Sequence, residues 1–278
     1  MSNEVEVRRA RDAAEFLELT QNLRAADLIR TSLITSIASS VAHGKRTYEG
    51  YFWLVAYENG EVSGLAIRTL PYGYIFSPMN SNTCSALISK ISAIDPEAKE
   101  FSGPKSVIDL LETFGKFKVI EEEGELIYEN RNFTPAPALG EVRFASVDDF
   151  ELVFEWMQAF IEETQLRNFE LEAVVRNALT AGRYELLFVD GVPVSLGGNS
   201  GTYSTGDIDI ARVGPIYTPP AERKRGYASA ITSVITARLI AEGALPTLYT
   251  QASNPTSNKI YQELGYTLID ENRKITVQ

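Results

Sequence analysis

A pattern of two short strands joined by a tight turn occurs once in each half of the sequence, and it restricts the fold more than any other feature. Residues 54–64 contain an apolar run, an Asn-Gly turn and a second strand-like run, and residues 186–195 repeat this order around an Asp-Gly turn. Such dipeptides between apolar runs are typical of β-hairpins. A Val-Arg strand that leads into a helix precedes each hairpin, at Val7 and Val142. Two unrelated hairpins are the alternative, but the shared order favours a tandem repeat.

The division between the two halves is marked by residues 133–140, which read Phe-Thr-Pro-Ala-Pro-Ala-Leu-Gly. Two prolines and a glycine cannot continue a helix or a central strand, so we interpret this segment as a linker. A chain of 278 residues is long enough for two domains that each bury a core of their own. We therefore predict one domain at residues 1–134 and a second at residues 139–278.

The second half alternates strand patterns with helix patterns, and glycines stand where the helices should end. This alternation predicts an α/β fold (α+β mixed sheet), with a central mixed β-sheet flanked by helices in each domain. The predicted strands are 207–218, 247–250, 266–269 and 273–277, and the predicted helices are 227–242 and 255–264.

Composition excludes several classes of function. The net charge is −11, so most of the surface should repel nucleic acid. The single cysteine, Cys84, and the single histidine, His43, permit no internal disulfide and no zinc site of the usual kind, and we expect no metal. Neither residue lies in a nucleophile motif, so Cys84 is interpreted as an ordinary thiol and His43 as a surface or helix-end residue.

The sequence contains no run of 18 apolar residues, and its acidic, polar N-terminus does not resemble a signal peptide. We therefore expect a cytoplasmic protein that does not associate with membranes.

The strongest chemical signal is the loop at residues 223–229. Arg223, Lys224 and Arg225 precede Gly226, and a helix pattern begins directly afterwards. A helix N-terminus offers free N–H groups and the positive end of the helix dipole, and small residues such as Gly226 and Ala228 let the backbone approach a bulky anion. A solvated basic patch is the alternative. The interrupted strand before the loop and the helix after it favour a phosphate site instead.

Arg223, Gly226 and Ala228 match the Arg/Gln-x-x-Gly-x-Gly/Ala signature of the GNAT superfamily of N-acetyltransferases, which this sequence resembles from about residue 140 to residue 278. The segment 254–266 strengthens the resemblance to a bacterial branch in which a divergent GNAT-like half precedes the active one. The resemblance implies two tandem GNAT-like domains, the first a degenerate copy that helps to wall the acceptor pocket. Its nearest glycine turn, residues 101–106, carries a single lysine.

The resemblance also implies an acyl-CoA site, with acetyl-CoA as acyl donor. In GNAT proteins the strand before the loop is bulged and splays from its neighbour, and the pantetheine arm lies in that cleft. Gly214-Pro215 permits such a bulge. The residues expected around the donor are Val213, Gly214 and Ile216 for pantetheine, Arg223, Lys224, Arg225, Gly226, Tyr227, Ala228 and Ser229 for pyrophosphate, and Asn254 and Asn258 for the remaining arm.

Tyr261 holds the position at which similar families place the proton donor to the leaving thiolate, so the resemblance implies that it is the general acid. A core tyrosine on an amphipathic helix is the alternative. The sequence does not identify the general base. Glu162, Glu163, Asp207 and Asp209 are candidates, yet each is explained as well by an ordinary solvated carboxylate, and a water chain could serve instead.

These observations predict an acyl-CoA-dependent N-acyltransferase that moves acetyl from acetyl-CoA to a primary amine. A non-catalytic acyl-CoA-binding sensor or regulatory protein is the alternative. A transferase that uses charged tRNA is disfavoured by the intact loop and the acidic charge. We expect a small-molecule amine as acceptor, no nucleic-acid partner, and a monomer or homodimer.

Overall fold

The computed structural model describes residues 5–115, 117–166, 170–204 and 208–278, except for the side chains of residues 203 and 204. The chain forms two compact units. The first contains Met1–Ile127, Thr250–Ser253 and Ile269–Gln278, and the second contains Tyr128–Tyr249 and Asn254–Leu268.

The first unit is a mixed sheet with helices. Its strands are β1 (Val5–Arg9), β2 (Tyr51–Glu58), β3 (Glu61–Thr69), β4 (Tyr74–Phe76), β5 (Glu100–Pro104) and most of β6 (Val119–Asn130), and its helices are α1 (Ala13–Leu19), α2 (Gln21–Ala26), α3 (Ser32–Ala42), α4 (Ser81–Ile94) and α5 (Lys105–Gly115). Antiparallel pairing joins β1 to β2, β2 to β3 and β3 to β4, whereas β4 and β5 run parallel.

The second unit repeats this arrangement. Its strands are β7 (Glu141–Phe144), β8 (Tyr184–Val189), β9 (Val192–Ser204), β10 (Asp209–Tyr217) and β11 (Ala244–Gln251), and its helices are α6 (Phe150–Thr164), α7 (Leu171–Thr180), α8 (Tyr227–Ala241) and α9 (Pro255–Glu263). Antiparallel pairing joins β7 to β8, β8 to β9 and β9 to β10, whereas β10 and β11 run parallel. The predicted mixed α/β class and the tandem organisation are therefore confirmed.

The two hairpins that suggested the repeat form as predicted. Asn59 and Gly60 link β2 to β3 with φ values of 53° and 84°, and Asp190 and Gly191 link β8 to β9 with φ values of 50° and 77°. Positive φ at both central residues is the geometry of the type I′ turn, whose twist matches that of the flanking strands.

The end of the chain differs from the prediction. Instead of two closing strands in the second domain, one continuous strand, β12 (Tyr266–Val277), runs to residue 277, and its residues Asn272–Thr276 pair antiparallel with β5. Arg273 on β12 also forms ion pairs with Asp109 at 3.0 Å and Glu112 at 2.6 Å, both on α5. Residues 269–278 therefore belong to the compact first unit, although the sequence placed them in the second.

The predicted linker, residues 133–140, lies within the second unit. The Thr134 N–H donates to the Leu264 carbonyl at 3.0 Å, and the Ala136 N–H donates to Ser233 Oγ at 3.0 Å. The prolines prevent regular structure in this segment, as expected, but its backbone is anchored to its own unit. The compact units change at Ile127/Tyr128, a few residues before the division predicted at 134–139, which stays a prediction.

Each unit has its own apolar core. In the first, Leu54, Phe76 and Phe101 are among the buried side chains; in the second, Val153, Leu186 and Leu196 are. Cys84 is fully buried in the first core, and this burial raises its pKa to about 11, so it remains a thiol at neutral pH. His43 is the exposed C-cap of α3. No helix in the described parts of the chain is long and apolar enough to cross a membrane.

Candidate functional site

The strands β10 and β11 form a fork in the second unit. They pair in parallel from Asp209 to Arg212 on β10, opposite Ala244 to Thr247 on β11. β10 then stays paired with β9 as far as Tyr217, with register shifts on both sides of Val213. Beyond Arg212, the described pairing between β10 and β11 ends, so this edge of β10 can pair with a strand-like ligand.

The predicted irregularity at Gly214-Pro215 lies within this fork. Gly214 has a φ of +133°, which side chains other than that of glycine rarely adopt. Apart from its two chain neighbours, no residue has an atom within 4 Å of the position that a Cβ would occupy there, so the sheet face beside Gly214 is open. Val213 is buried, whereas Ile216 is half-buried and pairs with Gly197 of β9.

The loop that follows β10 presents an open helix N-terminus. Lys224 and Gly226 both have left-handed backbones, with φ values of 64° and 84°, and Gly226 is the N-cap of α8. No side chain caps this helix. The N–H groups of Tyr227, Ala228 and Ser229 therefore have no acceptor within the helix, and together with the helix dipole they can bind an anion.

The three consecutive cations of the loop have different surroundings. Arg225 pairs with Glu222 at 3.0 Å, and both side chains are partly exposed. Arg223 donates from Nη2 to Glu163 on α6 at 2.7 Å and from Nε to the Thr218 carbonyl at 2.9 Å. Lys224 is exposed and takes part in no hydrogen bond or ion pair among the described residues. Lys224 is thus the cation that is available to a ligand without breaking an existing bond.

The position of Arg223 also bears on the candidate bases. Glu163 forms an ion pair with the Arg223 guanidinium. Glu162 and Asp209 are exposed. Asp207 lies outside the described residues. The distance along the chain between Glu163 and Arg223 is 60 residues, so the sequence could not indicate this ion pair.

Buried hydroxyl groups hold the end of β10 where the loop begins. Ser195 Oγ on β9 donates to the Tyr217 carbonyl at 3.0 Å and lies 2.9 Å from Thr218 Oγ1. Because Ser195 is fully buried, these bonds are shielded from water and fix the exit of the strand.

Helix α9 carries the other predicted site residues. Asn254 is its N-cap, and Asn254 Oδ1 accepts a hydrogen bond from the Ser257 N–H at 3.1 Å. The Asn258 N–H donates to the Asn254 carbonyl at 3.2 Å, and the Asn258 side chain is half-buried. The Asn254 side chain therefore has a structural role as a helix cap, whatever else it binds.

Tyr261 lies on α9 with its ring edge-on to that of Tyr266, at a centroid distance of 6.0 Å. Tyr266 in turn is 2.7 Å from Thr236 Oγ1 on α8, so Tyr261 is fixed relative to that helix. Burial raises the pKa of Tyr261 to about 12, although a hydrogen bond from Ser257 lowers it in part. Tyr261 is therefore a protonated phenol at neutral pH and can act as a donor.

The corresponding helix of the first unit, α4, is closed to anions. It follows the fourth strand, as α8 follows β10, but Asn80 caps it by accepting from the Thr83 N–H at 3.0 Å. The Asn80 amide also donates to Glu58 at 2.8 Å, which brings a carboxylate to this helix end. The structural counterpart of the loop is thus residues 77–80 and not the glycine turn at 101–106.

Arg212 is a residue that the sequence analysis did not single out. It is the last residue of β10 that pairs with β11, and its guanidinium lies 4.7 Å from the ring centre of Tyr249 on β11. Its Nε and Nη2 atoms are buried and have no hydrogen-bond partner. An arginine between the apolar residues Ala211 and Val213, two positions before Gly214-Pro215, was the signal that could have identified it.

Comparison with known proteins agrees with this geometry. Residues 207–275, which include the fork, the loop and Tyr261, match the model of the FR47-like protein family. No curated protein sequence matches the chain.

Solved structures share the whole architecture. An acetyltransferase of the GNAT family from Colwellia psychrerythraea is 11% identical and superposes with a TM-score of 0.66 over 98% of this chain and 100% of its own. A tandem GNAT protein from the clavulanic acid biosynthesis pathway is 13% identical, with a TM-score of 0.62 over 98% of each chain. A GCN5-related N-acetyltransferase from Sphaerobacter thermophilus is 12% identical, with a TM-score of 0.56 over 98% of this chain and 94% of its own. At such identities the likeness concerns the fold: the chain has the tandem fold of these GNAT structures, and its residues 207–275 match the FR47-like family model.

Proposed function

We propose that this protein is an acyl-CoA-dependent N-acyltransferase that transfers acetyl from acetyl-CoA to a primary amine. One observation carries the proposal: the N-terminus of α8 is uncapped, bears the exposed cation Lys224, and directly follows a strand that has separated from its neighbour. Acyl-CoA joins a doubly charged pyrophosphate to an extended arm that contains amides. The uncapped N-terminus of α8 with Lys224 suits the pyrophosphate, and the separated edge of β10 suits the arm.

The residues fit such a ligand. The pyrophosphate would bind the N–H groups at residues 227–229 and the Lys224 ammonium, where a helix N-terminus favours negative charge. The pantetheine amides would bond to the β10 backbone between Val213 and Ile216, in the manner of an added strand. The open space beside Gly214 leaves room for the arm.

The reaction requires a new C–N bond and the loss of a C–S bond. The ammonium first loses a proton to water or to a carboxylate, and the neutral amine attacks the thioester carbonyl carbon. As the C–S bond breaks, the nitrogen loses a second proton to water, the amide forms and CoA leaves as a thiolate. Tyr261 would hydrogen-bond to the departing sulfur and supply its proton, and the tyrosinate would regain a proton from water. Its pKa of about 12 keeps the phenol protonated at neutral pH.

Two measurements test this function. Acetyl-CoA should bind with a saturable heat signal and raise the temperature of unfolding, because a ligand of the folded state stabilises it by mass action. Release of free CoA thiol across a panel of primary amines should then detect turnover. Binding without turnover for every amine would contradict the proposal and leave an acyl-CoA binder or sensor.

The Tyr261→Phe variant tests the mechanism. It keeps the ring that packs on Tyr266 and removes only the O–H, so acetyl-CoA affinity and the unfolding temperature should change little. The turnover number should fall about 100-fold, as expected for a lost general acid. Tyr57→Phe, on β2 of the first unit, is the matched control and should retain turnover. Equal turnover in Tyr261→Phe and the wild type would exclude Tyr261 as the acid.

A further inference from the structure

Arg212 lies at the residue where β10 and β11 separate, and two nitrogens of its guanidinium have no hydrogen-bond partner. Arg212 pairs through its backbone with Thr247, after which β10 and β11 separate. Its side chain reaches across to the ring of Tyr249. Nε and Nη2 form one edge of the guanidinium, the edge that binds a carboxylate with two parallel hydrogen bonds, and both are buried without a partner.

Other partly buried arginines in the described parts of the chain do have oxygen partners. Arg24 donates to Thr20 Oγ1 and to the Leu17 carbonyl, at 2.9 and 2.7 Å. Arg68 pairs with Asp95 at 2.6 Å. Arg238 pairs with Glu185 at 2.6 Å through Nη2, although its Nε has no partner. In a chain with a net charge of −11, carboxylates are abundant, yet no described ion pair involves Arg212.

A buried donor without a partner costs free energy, and a charged group costs more than a neutral one. The aromatic face of Tyr249 compensates for part of the charge but accepts neither N–H in the plane of the guanidinium. An anion that enters the fork would satisfy both, and the low local dielectric would strengthen the bonds.

We propose that Arg212 is a specificity-determining residue that binds a carboxylate at the fork, so that one of the two reacting molecules carries this group close to the reacting carbonyl. This inference rests on the proposed acyl transfer at the same fork. The phosphates of CoA are assigned to the N-terminus of α8 and not to Arg212. The carboxylate therefore belongs either to an amino-acid-like acceptor or to a dicarboxylic acyl group on the donor.

The experiment separates these two sources. Thiol release is measured with acetyl-CoA and succinyl-CoA as donors. The acceptors are the amino acids phenylalanine, leucine and lysine. Each is compared with its decarboxylated amine, which has the same side chain but no α-carboxylate. An amino-acid acceptor predicts a higher kcat/KM for amino acids than for their matched amines. A dicarboxylic acyl group predicts a higher kcat/KM for succinyl-CoA than for acetyl-CoA.

Arg212→Met should reduce kcat/KM for the preferred carboxylate about 10- to 100-fold and leave the reaction without that carboxylate nearly unchanged. Arg212→Lys, which keeps the charge but loses the two-pronged geometry, should lie between. Arg176→Met is the matched control, because Arg176 also stacks on a ring, that of Phe150 at 3.8 Å, but already pairs with Glu172. It should behave as the wild type.

Calorimetry with CoA distinguishes failure of the Arg212 proposal from failure of the proposed function. If CoA binds and thiol is released but neither carboxylate is preferred, or if Arg212→Met keeps the preference, the role of Arg212 is refuted and the acyl transfer stands. If CoA does not bind and no acceptor releases thiol, the proposed function fails and this inference with it. Arg212→Lys provides the same comparison if Arg212→Met does not fold.

Discussion

At the scale of single residues, the cations of the loop show that one charge pattern can serve several purposes. From the resemblance of the sequence to GNAT proteins, we expected Arg223, Lys224 and Arg225 all to surround the pyrophosphate. In the structure, Arg223 ties the loop to α6 through Glu163 and to the end of β10 through the Thr218 carbonyl, and Arg225 is held by Glu222. Lys224 alone of these three is exposed with no described partner.

This difference predicts unlike effects of two alanine substitutions. Lys224→Ala should weaken acetyl-CoA binding about 10-fold, the loss of one charge-assisted bond, without changing the unfolding temperature. Arg223→Ala should destabilise the protein by about 1 kcal/mol, because it removes a partly exposed ion pair and the bond to Thr218. Calorimetry and thermal unfolding measure the two effects.

Glu163→Gln is the control for that comparison, since it breaks the Arg223 ion pair and leaves all three cations in place. It should share part of the stability loss and retain acetyl-CoA affinity. A larger loss of affinity in Arg223→Ala than in Lys224→Ala, with no loss of stability, would assign the pyrophosphate to Arg223 instead.

At the scale of elements, the cap of a helix decides whether its N-terminus is a binding site. α4 and α8 occupy the same place in their units, each between the fourth strand and the parallel fifth. The Asn80 side chain accepts a hydrogen bond from an N–H group in the first turn of α4. Gly226, the N-cap of α8, has no side chain and cannot do so. Free N–H groups remain only where the chain does not supply the acceptor itself.

Gly226→Ala tests this role. A non-glycine residue in the left-handed region costs about 1–2 kcal/mol, and the added Cβ would lie 3.0 Å from Leu139 Cδ1. Thermal unfolding should show this loss of stability, and calorimetry should show weaker acetyl-CoA binding. Gly243→Ala is the matched control at the other end of α8, where φ is +85° and no atom lies within 4 Å. It should lose stability but keep affinity; equal affinities in the two variants would contradict the assignment.

At the scale of the whole molecule, two units with the same strand order differ in their capacity to bind acyl-CoA. The closed N-terminus of α4, with Asn80 as its cap and Glu58 bonded to that cap, predicts one acetyl-CoA per chain. Titration calorimetry should give a stoichiometry of one. Lys224→Ala should weaken that single event, and Asn80→Ala should leave it unchanged. A stoichiometry of two would show that the first unit binds as well.

Much of the fold and part of the site could be predicted because the signals are local. The Asn59-Gly60 and Asp190-Gly191 turns, the helix start at Gly226 and the break at Gly214-Pro215 each depend on a few neighbouring residues. Backbone preferences act at that range, so the sequence expresses them directly.

Pairings between distant residues could not be read in the same way. The two strands predicted at 266–269 and 273–277 are one strand, and its partner β5 lies some 170 positions earlier in the chain. An alternating pattern indicates that a strand exists and which of its faces is buried, but many strands could be its neighbour.

The sequence by itself determined that the chain repeats a strand–helix arrangement, that its second copy ends a broken strand in a basic glycine loop, and that Tyr261 follows on a helix. Only the tertiary structure decided that Glu163 forms an ion pair with Arg223, and that Nε and Nη2 of Arg212 have no hydrogen-bond partner. It also decided that residues 269–278 belong to the first unit. Turns and caps follow from local dihedral preferences, so the sequence indicates them directly. The partner of a charged side chain depends on which groups the folded chain brings within hydrogen-bond distance, so only the tertiary structure decides it.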